Sequence, residues 1–476
     1  MATGMDTPLA SSLEAMLGPQ LTAEQARRIY QQGPEAVVFA LLTLAAMLAG
    51  RQGATPAPST PSAMVPVYQK PVARGRRKAP GRQAGHPGSH RPPPPRIDRR
   101  QEHTLEACPT CRGPVTRGSC VRTRLIEDIP GDLTPVVTEH TIPRYWCPQC
   151  HQHVEPTVPD ALPGSTLGLR VLVLSAWLHY ALGNTLAQIV DVFNFHLQLQ
   201  LTAGGLVQMW YRLQEILFVW YQEIQTQALD AAVLHADETG WRVGGKTYWL
   251  WCFTTPDVAY YLIDRCRGSP VLQKFFRKEF AGTLVSDFWG AYNAVVCAQR
   301  QKCLPHLLRE LKKVDHYHRP GGDWKVFAKK LRRLIRDAIR LRQRQAPAEV
   351  CMARRPQLQA RLQHLIGHGW ENAHARRLVK RLRRHAQELF TFLDHPEVPF
   401  DNNHAERTIR PAVIIRKNSY ANGSEDGADL QAVLMSVYRT LKQRGHNPIQ
   451  TIVAAIRTYL QTGQLPSLPE RITANG

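Results

Sequence analysis

Apolar and polar residues follow a helical pattern in the middle of this chain. Helical spacing or long apolar runs mark three segments: LGLRVLVLSAWLHYALG (167–183), NTLAQIVDVFNF (184–195) and the stretch from Thr202 to Trp220. Thr185 and Gln188 have the spacing of a capping box, and Thr202 can cap the third helix. Helix, short helix, turn and longer helix is the order of a helix-turn-helix module. An ordinary helical connector would give the same periodicity, so both interpretations stay open.

After residue 231 the pattern becomes that of β-strands. The segments AAVLHADETGWRV and KTYWLWCFTT predict adjacent strands joined at Gly244-Gly245, and AYYLID (259–264) predicts a third. SPVLQKFFRKEF (269–280) predicts a helix, and GTLVSDFWG (282–290) predicts a buried strand that ends at Asp287. The stretch 306–395 is expected to be almost wholly helical. Helices are expected again from 402, with Gly427 and Pro448 as breaks.

The N-terminal hundred residues contain one helical and one extended segment. Residues 1–50 are expected to be helical, with Thr22 as an N-cap. The apolar run AVVFALLTLAAML (36–48) is shorter than the ~20 residues that a membrane span needs, so we expect no membrane partner. Residues 51–103 contain eleven prolines and predict an extended linker. No secretory signal is recognisable, which predicts a cytoplasmic, nucleoid-associated protein.

Positive charge is concentrated in two parts of this chain, whose net charge is +22 over 476 residues. Residues 51–100 hold eleven Lys and Arg against one acid, and residues 325–384 hold eighteen against three. Two basic tracts beside a nearly neutral remainder favour binding to a phosphate backbone over general solubility. The charge pattern therefore predicts a nucleic-acid partner.

Two Cys-x-x-Cys pairs predict a structural zinc site. Four thiolates arranged as two such pairs can bind one tetrahedral ion, and they are Cys108, Cys111, Cys147 and Cys150. A redox dithiol is the alternative, although one pair would serve for that. Cys120, His151 and His153 are alternative ligands.

Three carboxylates stand where metal-dependent chemistry is expected. Asp237 is expected at the end of the strand AVLHAD, and Asp287 at the end of TLVSD. Glu406 lies within the basic stretch FDNNHAERTIRPAVIIRKNS (400–419). Three convergent carboxylates can hold two divalent ions about 3.5–4 Å apart, a geometry that serves phosphodiester chemistry. Taken singly, Asp237 and Asp287 would be expected merely to cap turns.

Four blocks of this chain resemble the bacterial transposases of the insertion-sequence-66 family. The blocks are HADETGWRV, LVSDFWGAYN, KCLPHLLREL and DNNHAERTIRPAVIIRKNS, in that order. The cysteine pairs and GRQAGHPGSHRP (81–92) are also similar to that family. The resemblance covers roughly residues 80–465. It implies an Asp-Asp-Glu transposase with a ribonuclease-H-like catalytic core.

The resemblance also implies roles for individual residues. It makes Asp237, Asp287 and Glu406 catalytic ligands of two Mg²⁺ (or Mn²⁺) ions. It matches Cys303 and His306 to a Cys-x-x-His motif that supports the active site, with an ordinary core histidine as the alternative. Four basic residues near Glu406 would then contact DNA phosphates, with a solvated helix face as the alternative: Arg407, Arg410, Arg416 and Lys417. Asn402 or Asn403 would cap the helix that carries Glu406.

The expected function is cleavage of DNA at element ends and strand transfer into target DNA. Expected partners are DNA, further copies of the chain on DNA, and small accessory proteins encoded by the same element. The alternatives are a domesticated zinc-dependent DNA-binding protein without activity, or a nuclease that cannot join strands.

The expected fold class is multidomain α/β and α. A ribonuclease-H-like mixed sheet core with a helical insertion follows a Cys₄ zinc-binding domain and a helix-turn-helix-like region. The expected parts are the N-terminal helical segment (1–50), basic linker (51–103), zinc-binding domain (104–160), helix-turn-helix-like region (161–228), first core part (229–310), basic helical insertion (311–399), second core part with Glu406 (400–425) and C-terminal helical region (426–476).

Overall fold

The computed structural model describes residues 22–31, 33–34, 36–38, 40–41, 94–117, 122–126, 129 and 133–473. Two compact units are present. The sheet unit contains the described residues between 94 and 282, Asn293–Val296 and those from 403 onward. The helical unit contains the described residues between 22 and 41, Thr283–Tyr292 and Cys297–Asn402. Most of the predicted apolar helix at 36–48, most of the linker and Cys120 lie outside the described residues.

Helices and strands together give a mixed α/β fold. The helices are α1 (Ala23–Gln31), α2 (Leu169–Tyr180), α3 (Leu186–Asp191), α4 (Ala203–Leu229), α5 (Ser269–Phe276), α6 (Leu304–Tyr317), α7 (Trp324–Gln343), α8 (Ala348–Gly367), α9 (Ala373–Arg384), α10 (Thr391–Asp394), α11 (Asn403–Thr408), α12 (Arg410–Ser419), α13 (Glu425–Gln443) and α14 (Pro448–Thr462). The strands are β1 (Tyr145–Cys147), β2 (Gln152–Val154), β3 (Val233–Val243), β4 (Lys246–Thr254), β5 (Ala259–Asp264), β6 (Phe280–Ser286) and β7 (Cys297–Lys302). Across the described helices, none is long and apolar enough to pass through a bilayer.

The larger sheet has five strands in the order β5-β4-β3-β6-β7. The hairpin of β3 and β4 turns at Gly244 and Gly245, as predicted, and both glycines have positive φ. Glycine adopts positive φ at two successive positions without strain, so the Gly-Gly pair determines this turn. The predicted strand AAVLHADETGWRV is confirmed, but the expectation that Asp237 lies at a strand end is wrong. β3 continues to Val243, because pairing with β4 extends to Val243 opposite Lys246 and the strand buries Trp241.

Apolar packing against α5 stabilises the larger sheet, and hydroxyl groups of α13 accept hydrogen bonds from its edge strand. The Phe253 ring of β4 stacks on Phe275 of α5, with 3.8 Å between ring centroids. The outer strand β5 donates the Tyr261 amide to Ser436 Oγ (2.9 Å) and the Ala259 amide to Thr440 Oγ1 (3.0 Å), both on α13. These contacts satisfy amides that an exposed edge strand would offer to another chain.

The three predicted central helices are present as α2, α3 and α4. Thr185 and Gln188 form the predicted capping box at the start of α3. Thr202 Oγ1 accepts the Gly205 amide, but α4 continues to Leu229, nine residues beyond the predicted end. Whether this order serves as a DNA-reading module stays a prediction.

The helical unit matches the predicted helical stretch with helices α6 to α10. Buried Glu310 of α6 pairs with Arg377 (2.7 Å) and with Arg381, both on α9. In the C-terminal part, Pro448 is the first residue of α14, as expected of a break. The break predicted at Gly427 is wrong, because Gly427 lies in the first turn of α13 and donates its amide to Ser424 Oγ (3.1 Å). A capping bond therefore overrides the weak helix propensity of glycine.

Candidate active site

Two acids follow one another in β3, and the structure separates their environments. Glu238 is almost fully buried, with a side chain 3% exposed, and it accepts two bonds from the Arg267 guanidinium (3.0 and 3.2 Å). That guanidinium lies over the Trp249 ring, 4.3 Å from its centroid. Asp237 pairs in register with Cys252 of β4, and its Oδ1 accepts the Glu238 amide (3.0 Å). Glu238 is thus a structural ion-pair partner, and Asp237 is the acid of this pair that we consider for catalysis.

Glu406 lies on α11, a short helix that packs against β3 and β4 in the sheet unit. His404 fixes this helix, since its Nε2 lies 2.8 Å from the Thr255 carbonyl oxygen and 3.2 Å from Thr254 Oγ1. At the other end of α11, the Tyr261 hydroxyl donates to the Thr408 carbonyl (2.6 Å). The sheet unit therefore places the helix of Glu406 against the strand that contains Asp237.

Burial accounts for the state of His404. Desolvation lowers the pKa of its imidazole, and the neighbouring arginines Arg407 and Arg439 act in the same direction, while the bond to Thr255 opposes them. The ring is therefore neutral near pH 7, and Nε2–H donates to the Thr255 carbonyl. The neutral ring also faces His235 of β3, with 5.3 Å between centroids. Sequence analysis did not select His404, because the residues around it in the chain do not indicate that it is buried.

The four basic residues predicted to contact DNA occupy different environments. Arg407, Arg410 and Lys417 are exposed on α11 and α12. Arg416 is half-buried, and its Nη1 donates to Thr239 Oγ1 (3.1 Å) and to the Gly240 carbonyl oxygen. Arg416 thus holds α12 against β3. Phosphate binding stays a prediction for all four residues.

Asp287 begins a loop immediately after β6 in the helical unit. Its Oδ1 accepts the Trp289 amide (2.8 Å), which fixes the direction of the carboxylate. Lys302, the last residue of β7, has no exposed surface, and its Nζ donates to Ser286 Oγ and to the Asp287 carbonyl oxygen, each at 3.0 Å. A buried ammonium thus fixes the backbone at the point where the candidate catalytic acid leaves the strand.

Lys302 was also missed by sequence analysis. Burial lowers the pKa of its ammonium, while Glu388 and Asp287 act against that shift. The sequence around it, CAQRQK, has a polar pattern that predicts exposure, and only the tertiary structure shows that Gln301 and Lys302 are buried. Gln301 donates to the Leu389 carbonyl (3.1 Å) and accepts the Phe392 amide (3.0 Å), so β7 ends in a satisfied polar core.

Cys303 and His306 lie at the start of α6. Cys303 is buried, its amide donates to the Ser286 carbonyl (2.9 Å), and its Sγ accepts the amide of Asn402 (3.2 Å). Cys303 thereby connects the end of β6 to the residue that precedes α11. His306 is half-buried, and its ring nitrogens lie 3.1 and 3.2 Å from Arg309 Nη2. Both contacts agree with the expected supporting role, which stays a prediction.

Each cysteine pair forms a tight hairpin in the sheet unit. At the first pair, the Cys108 amide donates to the Gly113 carbonyl (2.9 Å) and the Arg112 amide donates to the Cys108 carbonyl (2.8 Å). At the second pair, β1 and β2 are antiparallel, with Cys147 opposite Gln152. The residue after each second cysteine, Arg112 or His151, has positive φ. The two pairs therefore share one local backbone geometry.

Hydrogen bonds within each hairpin favour ionised sulfur. The Cys111 backbone lowers the pKa of Cys108 most, and the Cys150 backbone lowers the pKa of Cys147 most. The thiolate is the form that binds metals, so both hairpins suit a zinc knuckle. Within the described residues, however, no three of the four sulfurs come within 4.8 Å of one another. Zinc binding stays a prediction.

Comparison with known proteins identifies the family. Residues 164–430 match the family described as "Transposase IS66 family". A curated protein of Sinorhizobium fredii (strain NBRC 101917 / NGR234), named "Uncharacterized protein y4qI", is 25% identical over 244 residues. That match covers 46% of this chain and 45% of the relative, so the chain spans less than half of that protein's length. The family match includes Asp237, Asp287 and Glu406, and it covers more than half of the chain. The chain belongs to the IS66 family of transposases.

Proposed function

We propose that this transposase cuts phosphodiester bonds at the ends of an insertion sequence and joins the freed 3′-hydroxyls to target DNA. The observation that carries the proposal is the packing of α11 against β3, which puts Glu406 on a helix against the strand of Asp237. Family membership supports DNA as the substrate. Three carboxylates with fixed backbones are suited to hold the divalent ions of a polynucleotidyl transferase.

Asp237, Asp287 and Glu406 would together hold two Mg²⁺ (or Mn²⁺) ions. Their chemistry fits these ions, because Mg²⁺ and Mn²⁺ prefer carboxylate oxygens, whereas the buried thiol of Cys303 suits them poorly. When bound, such ions activate the attacking hydroxyl and stabilise the leaving oxygen.

The surrounding side chains position the three acids. Lys302 fixes the backbone of Asp287, and His404 fixes the helix of Glu406. Arg267 neutralises Glu238, so that this second acid adds no uncompensated charge beside Asp237. Arg407, Arg410 and Lys417 on the exposed faces of α11 and α12 would contact phosphates of the bound strand.

The proposed zinc domain and the helix-turn-helix-like region would both bind the DNA ends. Cys108, Cys111, Cys147 and Cys150 are the ligands that we assign to structural Zn²⁺. Copies of the chain would assemble on the two element ends, and small accessory proteins of the same element would take part.

A strand-joining experiment tests the proposed function. Purified protein is incubated with pre-cut element ends, Mg²⁺ and a target plasmid. Joined products would support transposition, nicks without joining would indicate a nuclease, and binding alone would indicate an inactive DNA-binding protein.

The substitution Asp287→Asn tests the site itself. We expect joining to fall by at least about a hundredfold while DNA binding is retained, because the substitution removes a negative charge that holds the metal ions. Asp230→Asn is the matched control, since Asp230 is exposed at the end of α4, and it should leave joining unchanged. Normal joining by Asp287→Asn would remove Asp287 from the site.

A further inference from the structure

A cleft of about 330 Å³ lies in the helical unit, between α6 and α7. Its walls are mostly basic, and its lining residues are Leu308, Arg309, Lys312, Asp315, Arg332 and Arg336. Arg309 and Lys312 are three residues apart on α6, and Arg332 and Arg336 are four residues apart on α7. Each pair therefore presents two cations on one face of its helix.

The single acid of the cleft is already engaged with the protein. Asp315 pairs with Arg332, and its Oδ1 accepts the Trp324 indole N–H (2.8 Å). These bonds connect the end of α6 to α7 and fix the shape of the cleft. The charge of Asp315 is thereby matched by one arginine, and the cleft keeps a surplus of positive charge.

Elsewhere in the helical unit, several arginines pair with carboxylates, and some of them share one acid. Arg355 pairs with Asp394, Arg361 with Asp337 (2.9 Å), and Arg377 and Arg381 share Glu310. In the cleft, Lys312 and Arg336 add two positive charges beyond the ion pair of Asp315 and Arg332. Their mutual repulsion destabilises the folded chain unless an anion is bound between them.

We propose that this cleft binds backbone phosphates of DNA, and the proposal rests on the proposed function. Lys312 and Arg336 are both exposed on opposite walls, where a strand backbone could pass between them. Arg309 on the same wall contacts the His306 ring (3.1 Å), so one residue that lines the cleft also contacts a side chain near the start of α6. The cleft contacts phosphates and no base edges, so it accepts DNA of any sequence. The positive charge of the insertion thus serves to hold bound DNA.

The double variant Lys312→Gln with Arg336→Gln tests this site. Binding to a 30-bp random-sequence DNA duplex is measured by fluorescence anisotropy over a range of KCl concentrations, with about 30 bp chosen to span the basic face. Loss of two phosphate contacts should make the slope of log K against log[salt] shallower by about two. Affinity near 0.1 M salt should fall by roughly 10- to 100-fold.

The matched control is Arg354→Gln with Lys380→Gln, which removes the same two charges from exposed positions on α8 and α9. It should retain the wild-type slope, and so should Lys312→Arg, which keeps the charge in the cleft. Equal losses in the double variant and the control would show a general charge effect and overturn the proposal. An unchanged slope in the double variant would also overturn it.

Two further measurements separate the remaining outcomes. Thermal unfolding followed by circular dichroism must give the same midpoint for all variants, and a variant that fails this test is replaced by Lys312→Gln alone. A duplex RNA of the same sequence is titrated in parallel, and a loss confined to RNA would overturn the assignment to DNA. The salt slope does not depend on joining, so a wild-type protein that binds but cannot join would refute the proposed function without affecting this inference.

Discussion

The cysteine-knuckle region and the sheet lie in the same unit but differ in what stabilises them. Between 94 and 161, none of the described residues is buried. In β4, by contrast, every residue from Leu250 to Thr254 is buried. The sheet therefore gains stability from removing apolar surface from water, whereas the described residues of the knuckle region form turns and two strands of three residues. A region without a buried core needs another source of stability, and we propose that bound zinc provides it.

Removal of the metal should change the difference in stability between the knuckle region and the sheet more than any other change. Structural zinc contributes an apparent free energy of about 10–16 kcal/mol to folding of small zinc domains near neutral pH. Chelation, or the substitution Cys111→Ser, should therefore make residues 104–160 susceptible to limited proteolysis and leave the tryptophan-rich sheet intact. Metal content is measured by atomic absorption, and the sheet is followed by near-ultraviolet circular dichroism.

Cys266→Ser is the control for this prediction, because Cys266 lies outside both knuckles. It should retain both bound zinc and protease resistance. A knuckle region that resists protease equally well with and without metal would contradict the proposed dependence on zinc.

A matched pair of phenylalanines tests the other side of the comparison. Phe253 is fully buried and stacks on Phe275, so Phe253→Ala should lower the free energy of unfolding by about 3–5 kcal/mol. Phe195 is 77% exposed, and Phe195→Ala should change it by no more than about 0.5 kcal/mol. Denaturant unfolding measures both values. Similar losses in the two variants would mean that apolar burial does not account for the stability of the sheet.

Local sequence signals predicted the elements of the sheet unit better than their ends. Gly244 and Gly245 fix the hairpin because the turn needs positive φ at both positions, and Thr185 with Gln188 fixes the start of α3. Asp237 was expected at the end of a strand because the apolar run AVLHAD stops there. Pairing with β4 continues β3 to Val243, as the longer segment AAVLHADETGWRV predicted.

The candidate site shows the same limit at the level of single side chains. Asp237, Asp287 and Glu406 could be proposed from sequence, because carboxylates beside apolar strands or in basic stretches stand out. Lys302 and His404 could not be found in this way, since their role depends on groups 15 or more residues distant in the chain. Tertiary packing alone decides that these two polar side chains are buried.

The smallest expected effect concerns a buried histidine in the apolar part of the sheet unit. His179 of α2 has its Nδ1 2.7 Å from the Asn184 carbonyl oxygen and stacks on Trp210. Burial lowers the pKa of His179, and the bond to Asn184 opposes that shift. The unfolded chain, with a pKa near 6.5, then binds a proton more readily than the folded chain. The stability that neutral His179 contributes is present above about pH 6.5 and is lost as the pH falls through the lower folded pKa.

Unfolding measured from pH 7.5 to pH 5 therefore sharpens the comparison. As the pH falls, titration of His179 should lower the free energy of unfolding of the wild-type protein by at most about 1.4 kcal/mol per pH unit. The free energy of unfolding of His179→Gln should fall less. His196→Gln is the control, because His196 is exposed in the same unit and its loss should leave the wild-type pH profile unchanged. All proteins are measured in the same zinc-containing buffer, so the difference between the wild-type and His179→Gln profiles gives the contribution of His179. If His179→Gln kept the full pH dependence, the acid sensitivity would have to arise in other groups such as His404, whose pKa is also lowered by burial, and its assignment to His179 would be wrong.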